Sequence, residues 1–573
     1  MIARYCRLLG GYALLAVWAT WPLATDLPRS LTMGDESAAT VPLFTAWTVG
    51  WNATAAKRLG GGYWDAPIFF PESRTLAFSE PIVTSLVVAP VVWMTDNIVL
   101  AHNGFLLLLL VLNGLSGYAV LALLGCREVS AAIGGAWLVL LPGVQNELGV
   151  LQLVGIFGIV WLPTLLVFLG ARPSKGLAVS LGVVFAVTYA TCGNYGVFAS
   201  VLLVQVSPLA LVFRTGNRGR WLSAFLAAGV ALILLAPLVA VQHRVAGQHG
   251  LVRTIDLAGR LSAGPADYLL RSRSNPWEPE WLQQRRCESP HRLGVGMALP
   301  LLAAVGVVCG LRRPAGRRWT LVMLGTAFAA FFLSLGPNIK VFAWSPYETL
   351  WHYFPGVAQV RSPFRLAMFV QATCVLLAGQ GLDVLLTRLA GASAGGGRHV
   401  LACLLAGCVL VSLYDFAPRA QPLYCTATIE RETGWVAWLR NNTAADDVLV
   451  CLPFPTTASV REFQQTAEWM YAGHFHQRTI VNGYSGFLPA SYVQARTQLA
   501  GFPKPTAIDW LCQQGIGYCV IDQRYAKALD VQSQAESDRR LVLQFSDDVA
   551  MIEIYQVKAP SSGTNHSALQ RSR

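Results

Sequence analysis

Pro81-Ile-Val-Thr-Ser-Leu-Val-Val-Ala-Pro90-Val-Val-Trp-Met-Thr95 is apolar, but it is short and Pro90 interrupts it. Whether it crosses a membrane decides the architecture of the chain. A membrane span needs roughly 17–25 apolar residues. Eleven other stretches reach or approach that length, at about 8–25, 98–123, 129–143, 155–171, 176–192, 195–213, 221–242, 294–311, 319–336, 366–387 and 399–415. If 81–95 stays on the surface, the basic groups Arg4/Arg7, Arg127, Arg172/Lys175, Arg214/Arg218/Arg220, Arg312/Arg313/Arg317/Arg318 and Arg388/Arg398 all fall on one side. That is the positive-inside pattern at every short loop. If it crossed, every later cluster would change sides relative to the amino terminus. The sequence therefore predicts about 11 transmembrane helices, with 81–95 lying in the interface.

Composition agrees. Of the 573 residues, 54% are hydrophobic and 13% charged, with a mean hydropathy of +0.46. Soluble domains carry about 25% charged residues. The net charge of +12 is explained by the arginine-bearing loops, so no nucleic-acid partner is expected. The twelve cysteines show no metal-ligand spacing. Arg4 and Arg7 precede an apolar run without a clean cleavage site, which reads as a retained signal-anchor helix.

This topology puts the amino terminus inside and everything long outside: loops 26–97, 144–154, 243–293 and 337–365, and the tail. Residues 1–415 form the transmembrane domain. The tail changes character, with helix signals at 430–441 and 460–471 and strand signals at 447–452, 479–481, 518–521, 541–546 and 550–556. A small external α/β domain is expected over 416–558. Residues 559–573 are Ser/Gly/Arg-rich and read as disordered. The expected fold class is a mainly α polytopic membrane protein with a small external α/β domain.

The external polar residues carry the functional signal. Asp35-Glu36 follows the first span closely, where charge is costly unless water, a partner or a substrate compensates it. The next stretch, with Phe44, Trp47, Trp51 and Lys57-Arg58, suits a helix lying along the interface. Asp65 and Glu80 follow, and Glu147 and Gln152 stand in the second external loop. Each of these acids reads equally as a solvated loop charge. Arg361 and Arg365 enter a span from the outside, against the positive-inside rule, and a guanidinium fork matches phosphate oxygens. Their other reading is pairing with headgroups or with those acids. His474-Phe-His476 reads as a metal pair on a strand or, lacking a third ligand nearby, as ordinary surface or turn residues. Asn482-Gly-Tyr484-Ser-Gly-Phe is a turn after a strand and lacks the nucleophile-elbow spacing.

Several segments resemble a bacterial family of polytopic membrane proteins, the YfhO-like group, within the GT-C glycosyltransferases. They are Gly34-Asp35, Trp64-Asp65-Ala-Pro-Ile-Phe-Phe-Pro71, Leu76-Ala-Phe-Ser-Glu80, Phe354-Pro-Gly356 with Arg361-Ser-Pro-Phe-Arg365, and Val481-Asn-Gly-Tyr-Ser-Gly-Phe487. The resemblance implies transfer of a sugar from a polyprenyl-phosphate donor to a cell-envelope acceptor on the outer face. It implies Asp35 as the catalytic residue and Glu147 as the second-loop acid. Glu36, Asp65, Glu80, Glu147, Gln152, Asn482 and Tyr484 are then expected to bind substrate, and Arg361 and Arg365 the lipid phosphate. Glu36, Glu80 and Glu147 are also candidates for holding a divalent cation. The chain departs from the family at Gly149-Val-Leu-Gln152, where a histidine is expected. A transporter or flippase, or a catalytically inactive accessory protein of envelope assembly, are the alternatives.

Overall fold

The computed structural model describes residues 2–58, 61–211, 218–272, 279–342, 344–391, 396–427, 434–457 and 459–558. The tail read as disordered and the first residues of the 430–441 helix lie outside that set. The chain separates into two compact units. One comprises Met1–Ser37 and Glu80–Tyr424, the other Ala38–Ser79 and Cys425–Arg573.

The first unit is helical, and each of the eleven predicted spans falls on a helix. Among the described residues, five helices are long and apolar enough to cross a membrane: Ile98–Leu123, Glu128–Asn146, Gly193–Leu211, Gly219–His249 and Pro363–Gly391. Six more apolar helices are shorter, among them Cys6–Ala19, Phe157–Ala171 and Ala298–Arg312. The stretch 81–95 forms a 3-10 turn, Val83–Val88, and the short helix Ala89–Thr95. Pro90 sits in the first turn of that helix, where its missing N–H costs nothing.

Small residues let the helices approach closely. A side chain at Gly306 would meet the Leu377 carbonyl at 2.1 Å, and one at Gly381 the Leu302 carbonyl at 1.9 Å. Helices Ala298–Arg312 and Ala367–Gly391 therefore touch backbone to backbone, the close approach that membrane helix pairs favour. Along Arg218–His249, by contrast, Trp221, Leu222, Phe225, Leu232 and Ile233 are exposed. Apolar side chains exposed over a whole helix face suit lipid.

The second unit is built on a five-stranded sheet. Its order is Thr479–Ile480, Val448–Leu452, Tyr518–Asp522, Ile552–Val557, Leu541–Asp547. The first three strands are parallel and the last two pair antiparallel. Val448–Leu452 and Tyr518–Asp522 are buried along their whole length, as expected of parallel strands covered on both faces. Leu499, Ile508 and Leu511 complete the core on one side.

Two local expectations are corrected here. Helix Thr40–Lys57 forms, but its aromatic residues face inward rather than a membrane surface. Phe44, Trp47 and Trp51 are 6%, 3% and 8% exposed, and the helix packs on Gln464–His476 of the same unit. His474 and His476 lie in the last turn of that partner helix, not on a strand. His476 is buried, and its Nδ1 accepts the Arg478 N–H at 3.0 Å.

Candidate functional site

Two loops at one end of the helical unit are locked together by glycine. Gly34 has φ +54°, and a side chain there would strike the Asn146 carbonyl at 2.7 Å and the Gly149 nitrogen at 2.8 Å. A side chain at Gly149 would strike the Met33 carbonyl at 2.2 Å. Only glycine permits both the left-handed backbone and this contact. Around it, Asp35 N–H donates to the Asn146 carbonyl at 2.9 Å, and Thr32 Oγ1 donates to the Leu148 carbonyl at 2.9 Å. Met33 N–H donates to the Pro422 carbonyl at 2.9 Å. The backbone carrying Asp35 and Glu36 is thereby fixed against the backbone carrying Glu147.

The side chains of Asp35, Glu36 and Glu147 are a different matter. Among the described residues, none of the three accepts a hydrogen bond or joins an ion pair within 4 Å. Asp35 opens to solvent, while Glu36 and Glu147 are half-buried. Burial raises all three carboxyls above their ordinary range. Glu147, in the loop just past the Glu128–Asn146 helix, is pushed up to about 7, because burial and the neighbouring Glu36 and Asp35 outweigh Arg365. Leaving half-buried polar groups unpartnered is costly, and such groups mark places where a ligand completes the set.

Two arginines act on these acids. Arg365 lies in the turn Pro363–Leu366 that leads into helix Ala367–Gly391. Phe364 anchors that turn, with its ring stacked on His291 at 4.1 Å. The charge of Arg365 favours ionisation of Glu36, Glu80 and Glu147 alike, and Arg361 adds to its effect on Glu36. Arg365 Nε is buried without a hydrogen-bond partner. Arg361 is exposed, and neither arginine forms an ion pair among the described residues. Acids and bases thus share one neighbourhood without neutralising each other by contact.

Other predicted residues have structural employment. Glu80 Oε1 accepts the Asn194 N–H at 2.7 Å and its side-chain amide at 2.9 Å, which caps helix Gly193–Leu211. A carboxylate there meets the positive end of the helix dipole. Burial nevertheless keeps its carboxyl raised, against the opposing contacts from Asn194, Arg365 and Gln152. Gln152 reaches Glu80 in this way, and its Oε1 is buried without a partner.

Asp65, Asn482 and Tyr484 belong to the second unit. Asp65 Oδ1 accepts the Arg74 N–H at 2.8 Å within its own loop. Asn482 is fully buried, and its amide bridges both sides of Cys451, at 2.7 and 2.8 Å. This pair of hydrogen bonds ties the Asn482 amide to the strand Val448–Leu452. Tyr484 packs edge-on against Phe44 at 5.6 Å.

Sequence reasoning missed Arg292 and Arg419, whose charges act on Asp35. Both stand where Arg361 and Arg365 do, beside an apolar helix on the loop side, so the same exception to the positive-inside rule could have found them. A cavity of about 240 Å³ opens next to Asp35, with Asn146, Ser272, Asp415, Phe416 and Arg419 among its walls. Among the described residues, no group of three or more His, Cys, Asp or Glu side chains is arranged to hold a metal ion.

No family model matches the sequence, and no curated protein matches it either. Solved structures do. The arabinofuranosyltransferase AftD from Mycobacteria aligns over 97% of this chain and 40% of its own, with a TM-score of 0.58 and 14% identity. A mutant of AftD aligns over 97% and 41%, with a TM-score of 0.57 and 15% identity. ArnT from Cupriavidus metallidurans in the apo state scores 0.46 at 13% identity, over 98% of this chain and 99% of its own. This chain spans about two-fifths of the length of AftD. The likeness to AftD is one of fold.

Proposed function

We propose that the protein is a membrane glycosyltransferase that moves a sugar from a polyprenyl-phosphate donor to an acceptor hydroxyl at the outer membrane face. One observation carries this reading. Three carboxylates without partners, Asp35, Glu36 and Glu147, share a neighbourhood with Arg361 and Arg365 at the ends of apolar helices. The likeness in fold to an arabinofuranosyltransferase supports it and makes a pentose the first donor to try.

In this reading Asp35, open to solvent on a rigid loop, takes the proton of the acceptor hydroxyl. The acceptor oxygen then bonds to the anomeric carbon of the sugar as the bond from that carbon to the phosphate oxygen breaks. The electron pair leaves with the polyprenyl phosphate. Arg361 and Arg365 stabilise the charge that develops on that phosphate, a role that works best in a site with few competing dipoles. Glu36, Glu147 and Gln152 face the sugar hydroxyls. Glu147, holding a proton for part of the time near neutral pH, can both donate and accept.

The test is transfer from a panel of polyprenyl-phosphate pentoses and hexoses by the purified protein in lipid. Asp35→Asn keeps the size of the side chain and removes the base. The expected loss of turnover is about 10²–10⁴-fold, with abundance and thermal stability near wild type. Turnover unchanged in that variant would remove Asp35 from the role.

A further inference from the structure

The cavity beside Asp35 takes no part in the steps above, and its chemistry is specific. At about 240 Å³ it holds the volume of roughly eight water molecules, enough for one ring-sized polar group. Its polar walls divide into committed and uncommitted groups. Asp415 is committed, pairing with Arg271 at 2.7 Å and accepting the Met297 N–H at 3.0 Å. The Gln145 side-chain amide donates to the Leu140 and Phe416 carbonyls, at 2.7 and 3.1 Å. The uncommitted groups include the Asp35 carboxylate, the Asn146 side-chain N–H groups, the part of the Arg419 guanidinium that does not donate to the Ser272 carbonyl, and the side-chain oxygens of Gln145 and Gln421.

Among the lining groups the uncommitted charges are one carboxylate and one guanidinium, with Arg292 acting on Asp35 from outside the lining. An anionic ligand would meet Asp35 at close range, in surroundings where like charges repel strongly. A neutral ring bearing hydroxyls meets no such penalty, because each hydroxyl can donate to Asp35 and accept from Arg419 or Asn146. Pro142, Phe416 and Pro422 add apolar wall for the C–H face of such a ring. Arg361 and Arg365 do not line this cavity, and the charges felt by Asp35 are those of Arg419 and Arg292.

We infer that the cavity is the acceptor subsite and takes a neutral sugar ring with one hydroxyl directed at Asp35. Asp35 then stands between two compartments, a neutral one for the acceptor and an arginine-bearing one for the lipid phosphate. The word acceptor rests on the transfer reading above; the preference for a neutral sugar does not.

Saturation-transfer NMR on the full chain in lipid nanodiscs tests this, with methyl pentosides and methyl hexosides as neutral probes. Glucose 6-phosphate is the anionic probe, and farnesyl phosphate probes the other compartment. Wild type is expected to bind a methyl glycoside in preference to glucose 6-phosphate. Ala420→Trp, which fills the cavity, should abolish that signal. Arg419→Gln, on an exposed side chain, should weaken it at least five-fold. Farnesyl phosphate binding should stay within two-fold of wild type in both. Glycoside binding unchanged in both variants, absent from wild type, or displaced by farnesyl phosphate overturns the inference, as does a preference for the sugar phosphate. Glycoside binding that depends on Ala420 and Arg419 in a protein that ignores farnesyl phosphate overturns the transfer reading and leaves the sugar cavity supported.

Discussion

Segment Glu128–Asn146 and helix Ala367–Gly391 each run between two ends of the helical unit, and the two ends handle charge differently. Near the start of the first, Arg4 pairs with Glu128 at 2.9 Å. Asp383, late in the second, accepts the Arg127 N–H at 2.7 Å and the Ser130 hydroxyl at 3.1 Å. At the far end of the segment, Glu147 and its neighbours Asp35 and Glu36 have no such partners among the described residues, and Arg365 Nε has none either. Charges at the first end hold helices to one another. Those at the second are held in place by backbone and left open, which is how a rigid fold prepares a binding site.

Substitutions should therefore separate stability from turnover according to the end they touch. The largest effect is expected at Arg365. Arg365→Ala should lower turnover by about 10²–10³-fold with little change in melting temperature, measured by transfer assay and thermal shift on the same preparation. A variant that unfolds instead would make Arg365 a structural brace like Asp383.

Next comes Glu147. Its carboxyl titrates near 7 in the fold and near 4.5 when free, so between those values the folded protein binds the extra proton. Stability is then fully present below about pH 4.5 and declines as the pH rises towards 7. Glu147→Gln removes that dependence. It should melt like wild type at pH 4.5 and above it at pH 8, by an amount equivalent to about 1 kcal/mol or more. Parallel curves at both pH values would show that Glu147 is not held in this state.

The smallest effects belong to the committed acids. Asp383→Ala should cost about 1–3 kcal/mol of stability by orphaning the buried Ser130 hydroxyl, and Glu80→Ala about 1 kcal/mol by uncapping helix Gly193–Leu211. Folded protein from either variant should turn over within a few-fold of wild type in the transfer assay. A turnover loss at Glu80 beyond ten-fold would return that residue to the substrate.

Much of this contrast was legible in the sequence. The apolar helices follow from apolar length, and Asp35, Glu147, Arg361 and Arg365 stand out because charge beside an apolar helix needs a reason. What could not be read is contact across the chain. Glu80 looks like Glu147 until Asn194, 114 residues away, is found on its carboxylate. The 40–57 helix reads as interfacial because its aromatic residues are real, but their burial comes from a partner helix more than 400 residues later. Asn482 looked available in a glycine-bearing turn and proved to be a strand clamp. The glycine lock between Gly34 and Gly149 is visible only once both loops are in place.

The most direct test of the open end is binding of undecaprenyl phosphate, followed by native mass spectrometry of the protein in nanodiscs. Wild type and Asp383→Asn should bind it equally, and Arg361→Ala/Arg365→Ala should bind it at least ten-fold more weakly. Equal affinity in all three, or none in wild type, would contradict the assignment of this end to a lipid phosphate.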